Sequence, residues 1–167
     1  MIFGGELLMI ELRRISITDD NMKECIELEV AAEQRNFVAH NAESLGEAYA
    51  RNKIGKCVVP YAIYADGVMI GFIMYKFMKN EIEDIYGEAC YYLWRLMVDK
   101  NHQGKGYGRQ ALAMVIDEMK KMPNGVVDYI YTSYEPKNVV AKKLYESFGF
   151  VETGQVDDGE NVARLKI

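Results

Sequence analysis

The chain has 167 residues, half of them hydrophobic and 27% charged, with 20 basic against 25 acidic side chains and a formal net charge of −5. That describes one ordered domain rather than a disordered chain. The pI near 5.2 argues against a general nucleic-acid binder, and no apolar run approaches the ~20 residues of a membrane-spanning helix. Neither nucleic acid nor membrane is expected as a partner.

The cysteines, Cys25, Cys57 and Cys90, are odd in number and scattered. They lack a CxxC pattern or paired histidines, so neither a disulfide framework nor a metal site is expected. Reduced thiols fit a cytoplasmic setting. Residues Met1 to Ile10 lack the basic stretch that opens a secretory signal. Met9 is itself a candidate start, which would make residues 1–8 an extension. No linker or repeat interrupts the chain, and a single domain over 1–167 is expected.

Leu8 to Ile17 reads as a first strand, with Ile10, Leu12 and Ile15 as inward positions. Thr18-Asp19-Asp20 signals a helix start, and Met22, Cys25, Ile26 and Val30 follow at helical spacing. Asn36 to Asn41 reads as a loop. Ser44 with Glu47 has the form of a capping box that opens a second helix. Val58 to Phe77 alternates around Asp66-Gly67, a hairpin with a tight turn. Pro60 cannot donate to a ladder, which predicts a bulge, a strand start or an edge. Lys79 to Glu88 reads as an acidic loop. Tyr91 to Val98, apolar apart from Arg95, reads as a central strand.

A glycine-rich turn over Asn101 to Gly108 leads into a helix with one apolar face, Ala111, Leu112, Val115, Ile116 and Met119, ended by Pro123-Asn124-Gly125. Val126 to Tyr134 is rich in strand formers. Asn138 begins a short helix whose apolar face is Ala141, Leu144, Tyr145 and Phe148, with Gly149 as its stop. Phe150 to Thr153 and Asn161 to Ile167 read as two strands around Asp157-Asp158-Gly159. The predicted order is βααβββαβαββ. It implies an α/β protein, a mixed and mostly antiparallel sheet with helices on both faces.

Two stretches carry chemistry. The first is strand, then His102-Gln103-Gly104-Lys105-Gly106-Tyr107-Gly108-Arg109, then helix. Three glycines in five residues let backbone N–H groups approach an anion at a helix N-terminus, and Lys105 and Arg109 add positive charge. The spacing departs from GxGxxG and from a P-loop. The second is Asn138-x-x-Ala141-x-x-x-Tyr145, which places a polar amide and a phenol on one helix face.

In this order, separated by a strand, the two stretches resemble the GNAT superfamily of N-acetyltransferases. Its pyrophosphate loop, Q/R-x-x-G-x-G/A, is matched by Gln103, Gly106 and Gly108. Its later N-x-x-A-x-x-x-Y is matched by Asn138, Ala141 and Tyr145, followed by Gly149-Phe150. Asn36-Phe37-Val38-Ala39, Ser44-Leu45 and the run Leu93 to Asp99 resemble bacterial polyamine (spermine/spermidine) acetyltransferases.

The resemblance implies acetyl-CoA as co-substrate, lying in a splay between the strands ending at Val98 and near Tyr134. Leu96, Met97 and Val98 would pair with pantetheine. The amides from Gln103 through Gly104, Lys105, Gly106 and Tyr107 to Gly108, with Arg109 beside them, would hold the pyrophosphate. Asn138 would hold the pantetheine region, and Tyr145 would reach the sulfur as general acid. The acceptor would be a small amine, a polyamine first and an aminoglycoside, amino acid or protein N-terminus as alternatives. A CoA-binding module without turnover is a further alternative, and a homodimer is admitted.

An acceptor amine with a pKa near ~10.4 must lose a proton before attack. Candidate bases are Glu33, Glu81, Glu83, Asp84, Glu88 and Glu135, with His40 and His102 weaker. Glu33, Glu81 and Glu83 are also candidate acceptor-binding residues. A glutamate used by some polyamine-acetylating relatives would fall at Trp94, so that correspondence fails.

Overall fold

The computed structural model describes residues 10–16, 20–79 and 86–167. The elements in chain order are β1 (Ile10–Arg14), α1 (Asn21–Glu27), a 3-10 turn (Ala32–Gln34), α2 (Asn41–Lys53), β2 (Cys57–Ala65), β3 (Val68–Lys79), β4 (Ala89–Val98), α3 (Tyr107–Lys120), β5 (Tyr129–Tyr134), α4 (Val139–Glu146), β6 (Val151–Asp157) and β7 (Glu160–Lys166). Apart from the 3-10 turn this is the order expected from the sequence. The strands form one sheet in the order β1-β2-β3-β4-β5-β7-β6. Its β4–β5 contact is parallel and the other neighbours pair antiparallel.

The β2–β3 hairpin turns at Asp66 and Gly67, both at positive φ, which matches the right-handed twist of the strands it joins. Asp158 and Gly159 repeat the device between β6 and β7. Pro60 lies within β2 opposite Met74. β1 pairs with β2 only from Tyr61 onward, so the missing N–H of Pro60 leaves no gap in that ladder. Gly71 is required by packing, because a Cβ there would stand 2.5 Å from the carbonyl oxygen of Met97.

α3 lays Ala111, Leu112, Val115, Ile116 and Met119 into the main core, where Tyr145 and Phe150 join them. On the opposite face, residues from α1 and α2 pack with Phe72, Met74 and Met97 in a second cluster. A third, smaller cluster holds Cys90, Tyr92, Tyr131 and Val162, and Trp94 packs against both it and the second.

Several sequence expectations are corrected. β1 ends at Arg14, and Ile15 turns to the second core rather than the first. α1 stops at Glu27, so Val30 is beyond it, and Met22 faces solvent. The cause is local: Glu29 N–H donates to the Asp99 carboxylate and its carbonyl accepts from Lys100 N–H. These bonds hold Leu28 to Val30 extended. Of the helix-start signal, Thr18 and Asp19 lie outside the described residues, and Asp20 makes no side-chain cap.

α2 begins at Asn41, not at Ser44. His40 Nδ1 accepts from Ala42 N–H, and the buried Ser44 hydroxyl has no hydrogen-bond partner among the described residues. Asn41 fixes this earlier start by donating to the Cys25 carbonyl at 2.8 Å. β5 begins at Tyr129, and Val126 before it is exposed. β6 runs on to Asp157 through a bulge near Gly154.

Candidate active site

The site is built where the sheet comes apart. β4 and β5 pair only over Tyr91↔Ile130, Tyr92↔Tyr131 and Leu93↔Thr132. From Arg95 to Val98, β4 keeps β3 on one side, and among the described residues no strand pairs with its β5-facing edge. The register on the β3 side slips at the same place. Met74 faces Arg95 while Tyr75 faces Leu93, so Trp94 is the extra residue of a β-bulge. A bulge adds twist and swings the strand end aside.

The opened wedge is a cleft of about 330 Å³. Leu96, Met97 and Val98 form one wall, and Asn138, Ala141, Leu144 and Tyr145 another. Gln103, Gly104 and Gly108 close one end. Gly104 and Gly106 have φ of 77° and 79°, and a Cβ on either would meet nothing within 4 Å. The loop therefore presents bare backbone to open space at the N-terminus of α3, which no side chain caps. Unpaired N–H groups and the helix dipole there suit an anion.

Other side chains of the loop serve to hold it. Gln103 Nε2 donates to the Val98 carbonyl at 2.9 Å and to Gln34 Oε1 at 2.7 Å. The Tyr107 ring is buried in the core, so its contribution to the loop's outer side is backbone. The Arg109 guanidinium stacks on Phe148 at 5.0 Å and donates to Ser147, tying α3 to α4. Lys105 is exposed. Asn138 caps α4, its Oδ1 accepting from Ala141 N–H at 3.1 Å.

Tyr145 sits with its ring 5.7 Å from both Tyr134 and Phe150. Burial pushes its phenol up to about 12, against a smaller opposing effect of a hydrogen bond with Thr132. It is therefore protonated across the physiological range and equipped to give a proton.

A larger cavity of about 820 Å³ lies at the third cluster. Five cationic side chains line it, Arg51, Lys56, Lys76, Lys79 and Arg95, together with Trp94, and among the described residues the acids on the lining are Glu135, Asp157, Asp158 and Glu160. Three cations gather on the Trp94 indole: Lys76 at 4.4 Å, Arg95 at 4.8 Å and Arg51 at 4.9 Å.

Among the residues singled out from sequence, Glu135 is brought to this cavity. Glu33 is exposed beside Gln34 and lines neither cavity. Glu88 is held by the Tyr131 hydroxyl at 2.6 Å, with Arg164 at 3.9 Å. His40 is a helix cap. Glu81, Glu83 and Asp84 lie outside the described residues. Sequence reasoning missed Asp157, Asp158 and Glu160 as cavity residues. They read only as a turn, and their place depends on how the β6–β7 hairpin folds back beside β5.

A wedge between two parallel strands, floored by a glycine loop and walled by a helix with a buried phenol, is the architecture of an acyl-CoA-dependent transferase. The profile of the acetyltransferase (GNAT) family matches residues 17–150, and the chain belongs to that family. It is 30% identical over 148 residues to the probable spermine N(1)-acetyltransferase of Bacillus subtilis subsp. natto (strain BEST195), covering 88% of this chain and 93% of that protein. It is equally similar, over the same shares, to the spermine/spermidine N(1)-acetyltransferase of Bacillus subtilis (strain 168). The fold superposes on the crystal structure of the PaiA N-acetyltransferase of Thermoplasma acidophilum in complex with coenzyme A, with a TM-score of 0.68 at 20% identity over 96% of this chain and 100% of that one. The protein is an N-acetyltransferase that uses acetyl-CoA.

Proposed function

We propose that the protein acetylates a primary amine of a polyamine, spermidine or spermine, by direct attack of the amine on the thioester. The observation that carries this reading is the 30% identity over 148 residues to two Bacillus proteins whose names give spermine, or spermine and spermidine, as the acceptor. The large cavity supports it with four carboxylates, Glu135, Asp157, Asp158 and Glu160, each able to receive an ammonium group, on a lining that also carries five cations.

In this reading the unpaired β4 edge at Leu96 to Val98 offers backbone partners to the pantetheine arm. The amides from Gln103 to Gly108 hold the pyrophosphate, with Lys105 and Arg109 supplying positive charge nearby. Asn138 and Ala141 line the arm's path. A backbone N–H near Met97 or Val98 steadies the developing oxyanion. The Tyr145 hydroxyl gives its proton to the leaving thiolate. No covalent enzyme intermediate is needed.

The basic residues across the cavity favour a second reading. Arg51, Lys76 and Arg95 would receive a carboxylate, as an amino acid acceptor carries. One experiment separates the two. The purified chain is given acetyl-CoA with spermidine, spermine, a simple monoamine, an aminoglycoside and free amino acids, and release of CoA thiol is followed. Preferred turnover of the polyamines, with a KM that rises as salt is added, supports the first reading. Preferred turnover of an amino acid replaces it with the second.

A further inference from the structure

A line of hydroxyl groups runs along the lining of the large cavity. Tyr86 and Tyr92 lie with ring centroids 5.6 Å apart, and the Tyr86 hydroxyl is hydrogen-bonded to that of Tyr92. The Tyr92 hydroxyl is 2.6 Å from Ser133 Oγ. Ser133 in turn donates to the Glu160 carboxylate. A serine hydroxyl has one hydrogen, and this one is committed to Glu160. Tyr92 must therefore be the donor to Ser133. Every hydrogen in the line points toward the carboxylate. Tyr86, Tyr92, Ser133 and Glu160 all line the cavity.

The position of the line in the sheet matters as much as its direction. Successive residues of a strand face opposite sides. Thr132 faces the side of Tyr145, to which it is hydrogen-bonded, while Ser133 faces Tyr92. One step along β5, at the end of its pairing with β4, thus separates two proton circuits on opposite faces of the sheet.

We infer that Tyr92, Ser133 and Glu160 carry away the proton that the acceptor ammonium must lose before it attacks, with Glu160 as the terminal proton acceptor. The ammonium N–H bond breaks as its proton passes to the Tyr92 phenol oxygen. The Tyr92 hydrogen moves to Ser133 Oγ, and the Ser133 hydrogen moves to the Glu160 carboxylate. The products are a free amine, neutral Tyr92 and Ser133, and a protonated Glu160 that discharges to solvent. Burial raises the Tyr92 phenol above its ordinary value, so it relays a proton rather than holding a negative charge. Tyr86 keeps the Tyr92 hydroxyl turned toward Ser133. Glu160 and Ser133 act through Tyr92 and are positioning residues; Tyr92 is the group that meets the acceptor.

This inference rests on amine acetylation but not on which amine is the acceptor. Its test uses Glu160→Gln, Ser133→Ala and Tyr92→Phe in the full chain, with whichever amine the wild type acetylates fastest. kcat/KM for the amine is followed from pH 6 to pH 10. Each variant is expected to lose on the order of 10²-fold near pH 7. The deficit should shrink steadily toward pH 10, where a growing share of the amine is already free, and KM for acetyl-CoA should stay unchanged. Glu160→Asp, which retains a carboxylate, should recover part of the rate. A deficit of the same size at every pH, or no deficit in Ser133→Ala and Tyr92→Phe, overturns the inference. If polyamines are not the acceptors, that shows in the wild type's preference for another amine, and the pH comparison among variants still decides this inference.

Discussion

The hydroxyl of Thr132 donates to the carbonyl of Leu93 across 3.1 Å, and both groups are buried. These two residues are the final paired rung between β4 and β5, so the bond closes the apex of the wedge. Thr132→Val keeps the shape and removes the bond. Leaving the Leu93 carbonyl unsatisfied costs about 1–3 kcal/mol, which lowers Tm by roughly 2–12 °C in a chain of this size. The variant should also lose turnover, because Tyr145 loses a hydrogen-bond partner. Calorimetric melting and steady-state kinetics check both effects.

Tyr145→Phe isolates the phenol. The ring keeps its packing between Tyr134 and Phe150 while the hydroxyl goes. kcat should fall by on the order of 10²–10⁴, with the affinity for acetyl-CoA nearly intact. Because burial holds the phenol near 12, the wild type should show no loss of kcat from Tyr145 ionisation up to pH 10. Wild-type turnover in the Phe variant would reduce the residue to packing.

The glycine loop makes a different prediction. Gly106 has open space around it but a φ of +79°. Gly106→Val would strain the backbone by about 1–2 kcal/mol and set a branched side chain where the pyrophosphate is proposed to lie. Gly108 has ordinary φ, and a Cβ there would stand 3.7 Å from Val98. Gly108→Val therefore fills the end of the cleft without that strain. Calorimetric titration with acetyl-CoA should show weakened binding in both, with Tm reduced more in the first. Unchanged affinity in folded Gly108→Val would move the cofactor elsewhere.

Asp99 links the end of β4 to the chain before the 3-10 turn. Burial alone would raise its carboxyl, but hydrogen bonds from Glu29 N–H and from the Asn101 backbone and side chain outweigh it and hold it below the ordinary value. A carboxylate depressed in the folded state stabilises the fold above the unfolded pKa of ~3.9 and gives that stability up as the pH falls through the folded value. Asp99→Asn should be less stable than the wild type at pH 7, and the gap should close below about pH 4. Urea midpoints from pH 7 to pH 3 measure it. A constant gap would mean that the contacts at Asp99, not its charge, account for the loss.

Much of this arrangement was legible in the sequence because it rests on local patterns. The α3 stripe, the Asp66-Gly67 turn, the glycine loop and the Asn138 helix start each follow from residues within one or two turns of each other. The departures have a common origin in distant contacts. α1 ends early because Asp99 claims the backbone of Glu29. α2 starts early because Asn41 is anchored to Cys25. Of the candidate acids before β4, Glu88 is held by the Tyr131 hydroxyl, and Glu81, Glu83 and Asp84 lie outside the described residues, so none of the four is placed at the large cavity. The acids that line it come from the end of β5 and from the β6–β7 hairpin. No periodicity marks such a place, since it exists only once β7 has paired with β5.

β7 follows β6 in the chain, yet it lies between β5 and β6, and its neighbour Ile167 donates its N–H to the Asp128 carbonyl at 3.0 Å. During synthesis β5 and β6 emerge before the hairpin that joins β6 to β7 can close. The interior partner of both β5 and β6 is still missing until residues 160–166 have left the ribosome. A message cut short within that stretch would yield a chain with most of its hydrophobic core and an open seam through its sheet. Such a chain would expose the β5 edge to intermolecular pairing. Truncation there should be read out as aggregation and proteolysis rather than as a weakened enzyme.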